Sequence, residues 1–188
     1  MAENRNERLE KDFGEMLKLK NRPYLDWMVI KGEPPCAEEY LLRIKLRTYV
    51  FRAKNGKCTV GAVSHSTIKV TLRDSYPDTA PYVTMLDIPP IFHPDWYSKG
   101  TYCPIDAWTP DTSLKDFILR MLRTLQYDPS LIKEELPANY KALEWFIKNR
   151  DTSSLFPSDT TVLTENSEEE TAAMQSASAP FDEIVDTW

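Results

Sequence analysis

The sequence predicts an α+β domain: an N-terminal helix, a four-stranded antiparallel meander sheet, a chemically dense loop and C-terminal helices. Three observations carry this expectation. Between positions 40 and 86, apolar residues recur with a period of two in short runs separated by turn signals. On either side, near 6–22 and 114–125, they recur at helical spacing. Between the last short run and the second helix, the stretch from Ile91 to Trp108 follows neither period, and Pro94, Gly100, Pro104 and then Pro110 exclude a helix or central strand there.

In the first helix, Leu9, Phe13, Met16 and Leu17 form the apolar stripe, and Pro23 ends the pattern. Arg5, Arg8, Lys11, Lys18 and Lys20 fill much of the remaining surface and read as a solvated face. Residues 24–39, with Gly32, Pro34 and Pro35, read as a connecting segment. From Tyr40 to Phe51 the order Leu42-Arg43-Ile44-Lys45-Leu46-Arg47 alternates strictly, which puts the apolar set on one strand face and three cations on the other. Asn55-Gly56 signals a hairpin because both residues accept positive φ. A second strand runs through Cys58 and Val60, and a third, Thr67 to Arg73, turns Ile68, Val70 and Leu72 inward. Tyr82 to Leu86 is the fourth. A sheet with one apolar face needs helices to cover it. Leu114, Phe117, Ile118, Met121, Leu122 and Leu125 supply one stripe, with Asp111, Thr112 and Ser113 as candidate N-caps. A last helix over 137–149 carries Ala138, Ala142, Leu143, Trp145 and Phe146. Both stripes read as core rather than as a cofactor box.

Composition narrows the function classes. The 188 residues are 41% hydrophobic, enough for one domain with an appendage. No run approaches the roughly 18 apolar residues of a membrane span, and MAENRNERLEKD is too charged for a signal peptide. A soluble cytoplasmic protein is expected, with no membrane partner. Cys36, Cys58 and Cys103 are odd in number, far apart and accompanied by two His, which fits free thiols in a reducing compartment rather than disulfides or a zinc site. All 23 Lys and Arg lie within 1–150, against 20 acidic residues, leaving that part at +3, whereas 151–188 hold 9 acidic residues and no basic one. The composition therefore divides the chain into a domain, 1–150, and an acidic tail, 151–188. With so small a positive charge and no interleaved stacking aromatics, no nucleic-acid partner is expected. Only five Gly occur, and none builds a phosphate-cradling loop. No cofactor is expected, and any ATP chemistry belongs to another protein.

The chemistry concentrates in the irregular stretch. It holds His93-Pro94-Asp95, Gly100 and Cys103, with Phe92, Trp96, Tyr97, Tyr102 and Trp108 numerous enough to pin the loop on a core. His93-Pro94-Asp95, Cys103 eight positions after Asp95, and Trp108-Thr109-Pro110 resemble the active-site segment of ubiquitin-conjugating enzymes, whose pattern is His-Pro-Asn, Gly, Cys, Trp-Ser-Pro. Tyr76-Pro77 and Ala80-Pro81 upstream, and Asp128-Pro129 and Pro137-Ala138-Asn139 downstream, extend the resemblance over roughly the first four fifths of the chain.

The resemblance implies the ubiquitin-conjugating fold and a division of roles. Cys103 would carry a ubiquitin-like modifier as a thioester, received from an activating enzyme and passed to an amine on a protein substrate. His93 would brace the loop, and Arg8 and Lys11 on the first helix would be candidates to meet the activating enzyme. Such a thiol must be both nucleophile and leaving group, in a pocket where the amine loses its proton and the oxyanion finds a donor. Asp95 departs from the pattern: an ionised carboxylate accepts hydrogen bonds but cannot donate one to an oxyanion. It is expected instead to orient or deprotonate the amine, or to brace the loop as an acceptor, with Asp106 adding a second negative charge. Asp78 stands where the family often has a ligase-binding Phe, and the Cys103 to Trp108 spacing is three residues short. Three extra residues precede Pro137, leaving Glu134 and Glu135 in the region of the family's acceptor-guiding residue. These departures resemble the ubiquitin-conjugating-like proteins of bacterial conjugation operons.

Two rival functions remain at this level: a catalytically inactive version of the same fold acting as a binding module, and a cysteine hydrolase pairing Cys103 with His93. A small buried hydrophobe is the bland reading of Cys103, which Cys58, inside a strand, fits better. Cys36 reads as incidental. In the tail, residues 151–180 read as disordered, and the segment from Phe181 to Trp188 interleaves apolar residues with acids. It reads as a docking peptide for a partner groove or for the basic strand face of its own domain.

Overall fold

The structure is a computed structural model that describes residues 4–54, 57–104 and 108–152, together with Phe156 and Leu163. Along the chain lie α1 (Arg5–Leu17), β1 (Leu25–Glu33), β2 (Cys36–Ile44), β3 (Thr48–Lys54), β4 (Lys57–Val63), β5 (Ser66–Thr71), β6 (Tyr82–Met85), α2 (Leu114–Leu125) and α3 (Tyr140–Asn149). A four-stranded antiparallel sheet has the order β1-β2-β5-β6, and β3 pairs with β4 in a separate two-stranded ribbon.

The α+β class and the four-stranded antiparallel sheet are as expected, but the strands that compose the sheet differ. Residues 24–39 are no connection: they form β1 and the start of β2, turning at Pro34-Pro35. Gly32, at a register shift in the β1–β2 ladder just before that turn, has φ +77, and a Cβ there would lie 2.7 Å from the Cys36 carbonyl oxygen, so no other residue fits without strain. β1 hid from the periodicity because its outer face is also apolar: Leu25 and Trp27 are buried, whereas Met28 and Ile30 are exposed. The single strand expected over 40–51 is broken after Ile44, and the chain leaves the sheet to make β3. The ribbon therefore takes the hairpin that was expected to join two sheet strands; Asn55 and Gly56 themselves lie outside the described residues.

Two apolar clusters explain the division. Tyr40, Leu42, Ile68 and Val70 on the inner sheet face meet Leu9 and Met16 of α1 and the whole α2 stripe. In that stripe Leu114, Phe117, Ile118, Met121, Leu122 and Leu125 are all within 1% of full burial, and Ser113 caps the helix by accepting from the Asp116 N–H. Tyr49 of β3 instead joins Tyr127 with Leu143 and Phe146 of α3. Thus α3, whose N-cap is Asn139, packs in this second cluster rather than against the sheet as expected. Phe156 packs edge-on and tilted against the same aromatic group, and Leu163 is buried in the main core. Packing consequently continues past the Arg150/Asp151 composition boundary at these two apolar side chains, Leu163 buried and Phe156 partly so.

Three sequence expectations change on burial. α1 stops at Leu17, short of Pro23, and Leu17 is exposed rather than part of the stripe. Cys58 is exposed, not a small core hydrophobe, because β4 lies in the ribbon and outside the sheet. Arg8 is 3% exposed, so neither a solvated nor a docking role fits it. Its guanidinium bonds Asp12 and the carbonyls of Pro110 and Thr112, and lies over the rings of Tyr76 and Trp108. Asp12 also accepts from the Tyr76 hydroxyl and from the Leu114 N–H at the start of α2. This cluster ties α1 to the segment that follows Cys103. Asp12→Ala is expected to cost about 3–5 kcal/mol in urea unfolding, because it strands the Arg8 charge in the interior; a loss below about 1 kcal/mol would contradict that account.

Candidate active site

The loop is a short irregular hairpin, and its register explains the spacing of its chemical groups. The Cys103 N–H donates to the Asp95 carbonyl at 2.8 Å, Trp96 bridges to Tyr102, and the Tyr97 N–H donates to the Thr101 carbonyl at 2.8 Å. The eight residues from Asp95 to Cys103 are thus the length of a turn that returns the chain opposite its start. Gly100 closes it with φ +85, where a Cβ would press on Pro90 and Met85 at 3.1 and 3.3 Å. Side chains then alternate as on a strand. Trp96 and Tyr102 are buried in the main core, whereas Tyr97 is exposed and Asp95 and Cys103 are half-buried. Outside the turn, the Phe92 N–H donates to the Tyr49 carbonyl and the Asn139 N–H to the Pro94 carbonyl. Ribbon, α3 and core together hold the loop in place.

His93 lies behind the loop, fully buried against the Tyr127 ring, and its Nδ1 accepts the Asp95 N–H at 3.0 Å. Burial pushes its pKa down to about 3, so it is neutral at physiological pH. It braces Asp95 through the backbone. The hydrolase reading has no support in this geometry, because His93 is committed to that contact and is sealed from solvent.

A shallow pocket brings Asp95 and Cys103 together with Tyr102, Arg120, Thr124, Leu131, Lys133 and Leu136. Burial pushes the Asp95 carboxyl up to about 6, against the pull of Arg120 and Lys133. At neutral pH it is mostly ionised yet close enough to titration to take a proton from an incoming group. The Tyr97 hydroxyl lies 3.5 Å from the Cys103 sulfur, and that contact raises its pKa, so it keeps its proton.

The structure thus joins Cys103 and Asp95 in one pocket and puts His93 beneath them. Lys11 is exposed on α1, while Arg8, as above, faces the interior. Glu134 is paired with Arg150 at 2.7 Å, and Lys133 rather than Glu134 or Glu135 lines the pocket. Asp106, Phe181 and Trp188 lie outside the described residues. Sequence reasoning took Tyr97 for a packing aromatic and gave Arg120 and Lys133 no part in the site. Hairpin register, counted back from Cys103, would have put Tyr97 on the same side as Asp95. No local signal marks Arg120, whose place in the pocket depends on where α2 packs.

No protein-family model matches the chain, and no curated protein matches it. Solved structures do. A Plasmodium yoelii protein assigned to the ubiquitin conjugating enzymes is 19% identical, with a TM-score of 0.50 over 87% of this chain and 95% of that one. S. cerevisiae Ubc12 is 17% identical, with a TM-score of 0.51 over 79% of this chain and 74% of that one. What these similarities share with the chain is the ubiquitin-conjugating fold.

Proposed function

We propose, from the ubiquitin-conjugating fold of this chain, that Cys103 carries a ubiquitin-like modifier as a thioester and transfers it to an amine. The observation that carries this reading is that Cys103 and Asp95 stand opposite each other in one hairpin, joined through the main chain, and both line one pocket. In charging, the Cys103 thiolate attacks the thioester carbonyl of an activating enzyme; the new S–C bond forms and the activating enzyme's thiolate leaves. In transfer, the amine adds to the same carbonyl, Asp95 takes its proton, and the C–S bond breaks to return the Cys103 thiolate.

Lys11 on α1 remains a candidate contact for the activating enzyme, as does the segment from Phe181 to Trp188. A reducing compartment such as the cytoplasm suits three unpaired thiols. No helix among the described residues is long and apolar enough to cross a membrane.

The reading is tested by incubating the protein with ATP, a modifier and an activating enzyme shown to charge itself. A thiol-sensitive adduct on a non-reducing gel is expected. Its absence would transfer the weight to a binding module that presents a modifier without chemistry.

A further inference from the structure

Aminolysis of a thioester needs a donor for the oxyanion, and Asp95, in the position of the family's Asn, has none to offer while it is ionised. The pocket does contain cations. Arg120 and Lys133 both line it beside Cys103, and both act on the Asp95 charge, Arg120 the more strongly. They differ in where they stand in the fold. Arg120 stands on α2, which is anchored next to it by Phe117 and Met121, each buried to within 1%, and its guanidinium makes no hydrogen bond among the described residues. Lys133 lies on the connection between α2 and α3. A donor on a packed helix needs little reorganisation when charge develops, and a guanidinium presents a planar fork that stays charged at every working pH.

We propose that Arg120 is a catalytic residue that donates hydrogen bonds to the oxyanion formed on the Cys103 thioester. Asp95 and Arg120 then divide a task for which the family pattern supplies an Asn. As the amine nitrogen adds to the carbonyl carbon, the C=O electron pair moves to oxygen and is held by the Arg120 N–H groups. The amine proton passes to Asp95. When the oxyanion collapses, the C–S bond breaks and the thiolate leaves, and Arg120 neither gains nor loses a proton. The proposal rests on Cys103 carrying a thioester.

The test is single-turnover discharge of the preformed thioester to free lysine and to water, above the Asp95 titration so that loss of a nearby cation does not change its charge state. Arg120→Gln is expected to lower kcat on the order of 100-fold for both acceptors, with KM for lysine unchanged, because both attacks build the same oxyanion. Arg120→Lys should retain part of the rate. Arg120 is half-buried and makes no hydrogen bond among the described residues, so Arg120→Lys should melt as the wild type does, whereas Arg120→Gln, which removes a cation that offsets the Asp95 charge, should melt lower above the Asp95 titration but stay folded at the assay temperature. Slowing toward lysine alone, or a rise in KM, would make Arg120 an amine-positioning group and overturn the proposal. Unchanged discharge, or a larger loss in Lys133→Gln than in Arg120→Gln, would overturn it too. If the wild type never charges, the thioester reading falls and takes this inference with it; if it charges and Arg120→Gln discharges normally, only this inference falls.

Discussion

Cys103→Ala is expected to abolish the modifier adduct, and Cys103→Ser to hold the modifier as an ester that thiols do not release. The contrast follows from the two demands on this atom. A thiolate is a good nucleophile at neutral pH and also a good leaving group, so it can accept an acyl group and give it up. A serine oxygen is weaker in both respects: it should charge slowly and then accumulate, because the later attack would have to expel an alkoxide. Reducing and non-reducing gels separate the two species directly. Cys58→Ala and Cys36→Ala should charge as the wild type does, since Cys58 lies exposed on the ribbon and neither sulfur lines the pocket. An adduct that survives in Cys103→Ala and disappears in Cys58→Ala would move the site.

Asp95→Asn is expected to slow aminolysis by about 10²–10⁴-fold, the usual contribution of a positioned base. It restores the amide of the family pattern but removes the group that receives the proton. With an amine of low basicity, whose own titration stays out of the way, wild-type discharge should fall as pH drops through about 6, and the variant should lack that limb. Unchanged or faster aminolysis would eliminate the base role. A second signature is independent of activity. The Asp95 carboxyl titrates at about 6 in the folded protein, against about 3.9 in an unfolded chain. Between these values the folded state binds more protons, so Asp95 lowers stability as pH rises through the window and leaves the protein weaker above it. Asp95→Asn should therefore be more stable than wild type at neutral pH by a free energy on the order of 1–2 kcal/mol, seen as a higher melting temperature, and the advantage should vanish near pH 4. A melting difference that does not change between these two pH values would contradict the raised pKa.

Those two substitutions probe the part of the molecule that its sequence made plainest. Pro94, Gly100 and Pro104 break regular structure around a thiol and a carboxylate, and the distance between those two groups is the length of one hairpin. Local chain geometry is enough to bring Asp95 opposite Cys103. The same holds for α2, where one apolar stripe names the helix and its buried face without reference to any neighbour, although which of Asp111, Thr112 and Ser113 caps it was decided only in the fold, as Ser113.

Where local pattern failed, two surfaces of similar character had different fates. Alternation over 40–51 is real, yet it does not say whether the apolar face meets the sheet core or an aromatic cluster, and β3 chose the cluster around Tyr127 and α3. The strand Leu25–Glu33 is apolar on both faces and thus has no period of two to read. Arg8 and Lys11 look alike on a helical wheel, but Asp12, Pro110 and Thr112 enclose the first and leave the second in water.

The sequence by itself determined the class of fold, the core helix and the thiol–carboxylate pair, because each depends on residues close together in the chain. Only the tertiary structure decided which strands share the sheet, which cation is buried and that Arg120 and Lys133 close the pocket around Asp95. Those outcomes depend on distant segments competing for the same apolar surface and on the desolvation of charges, and neither is written in the spacing of any one segment.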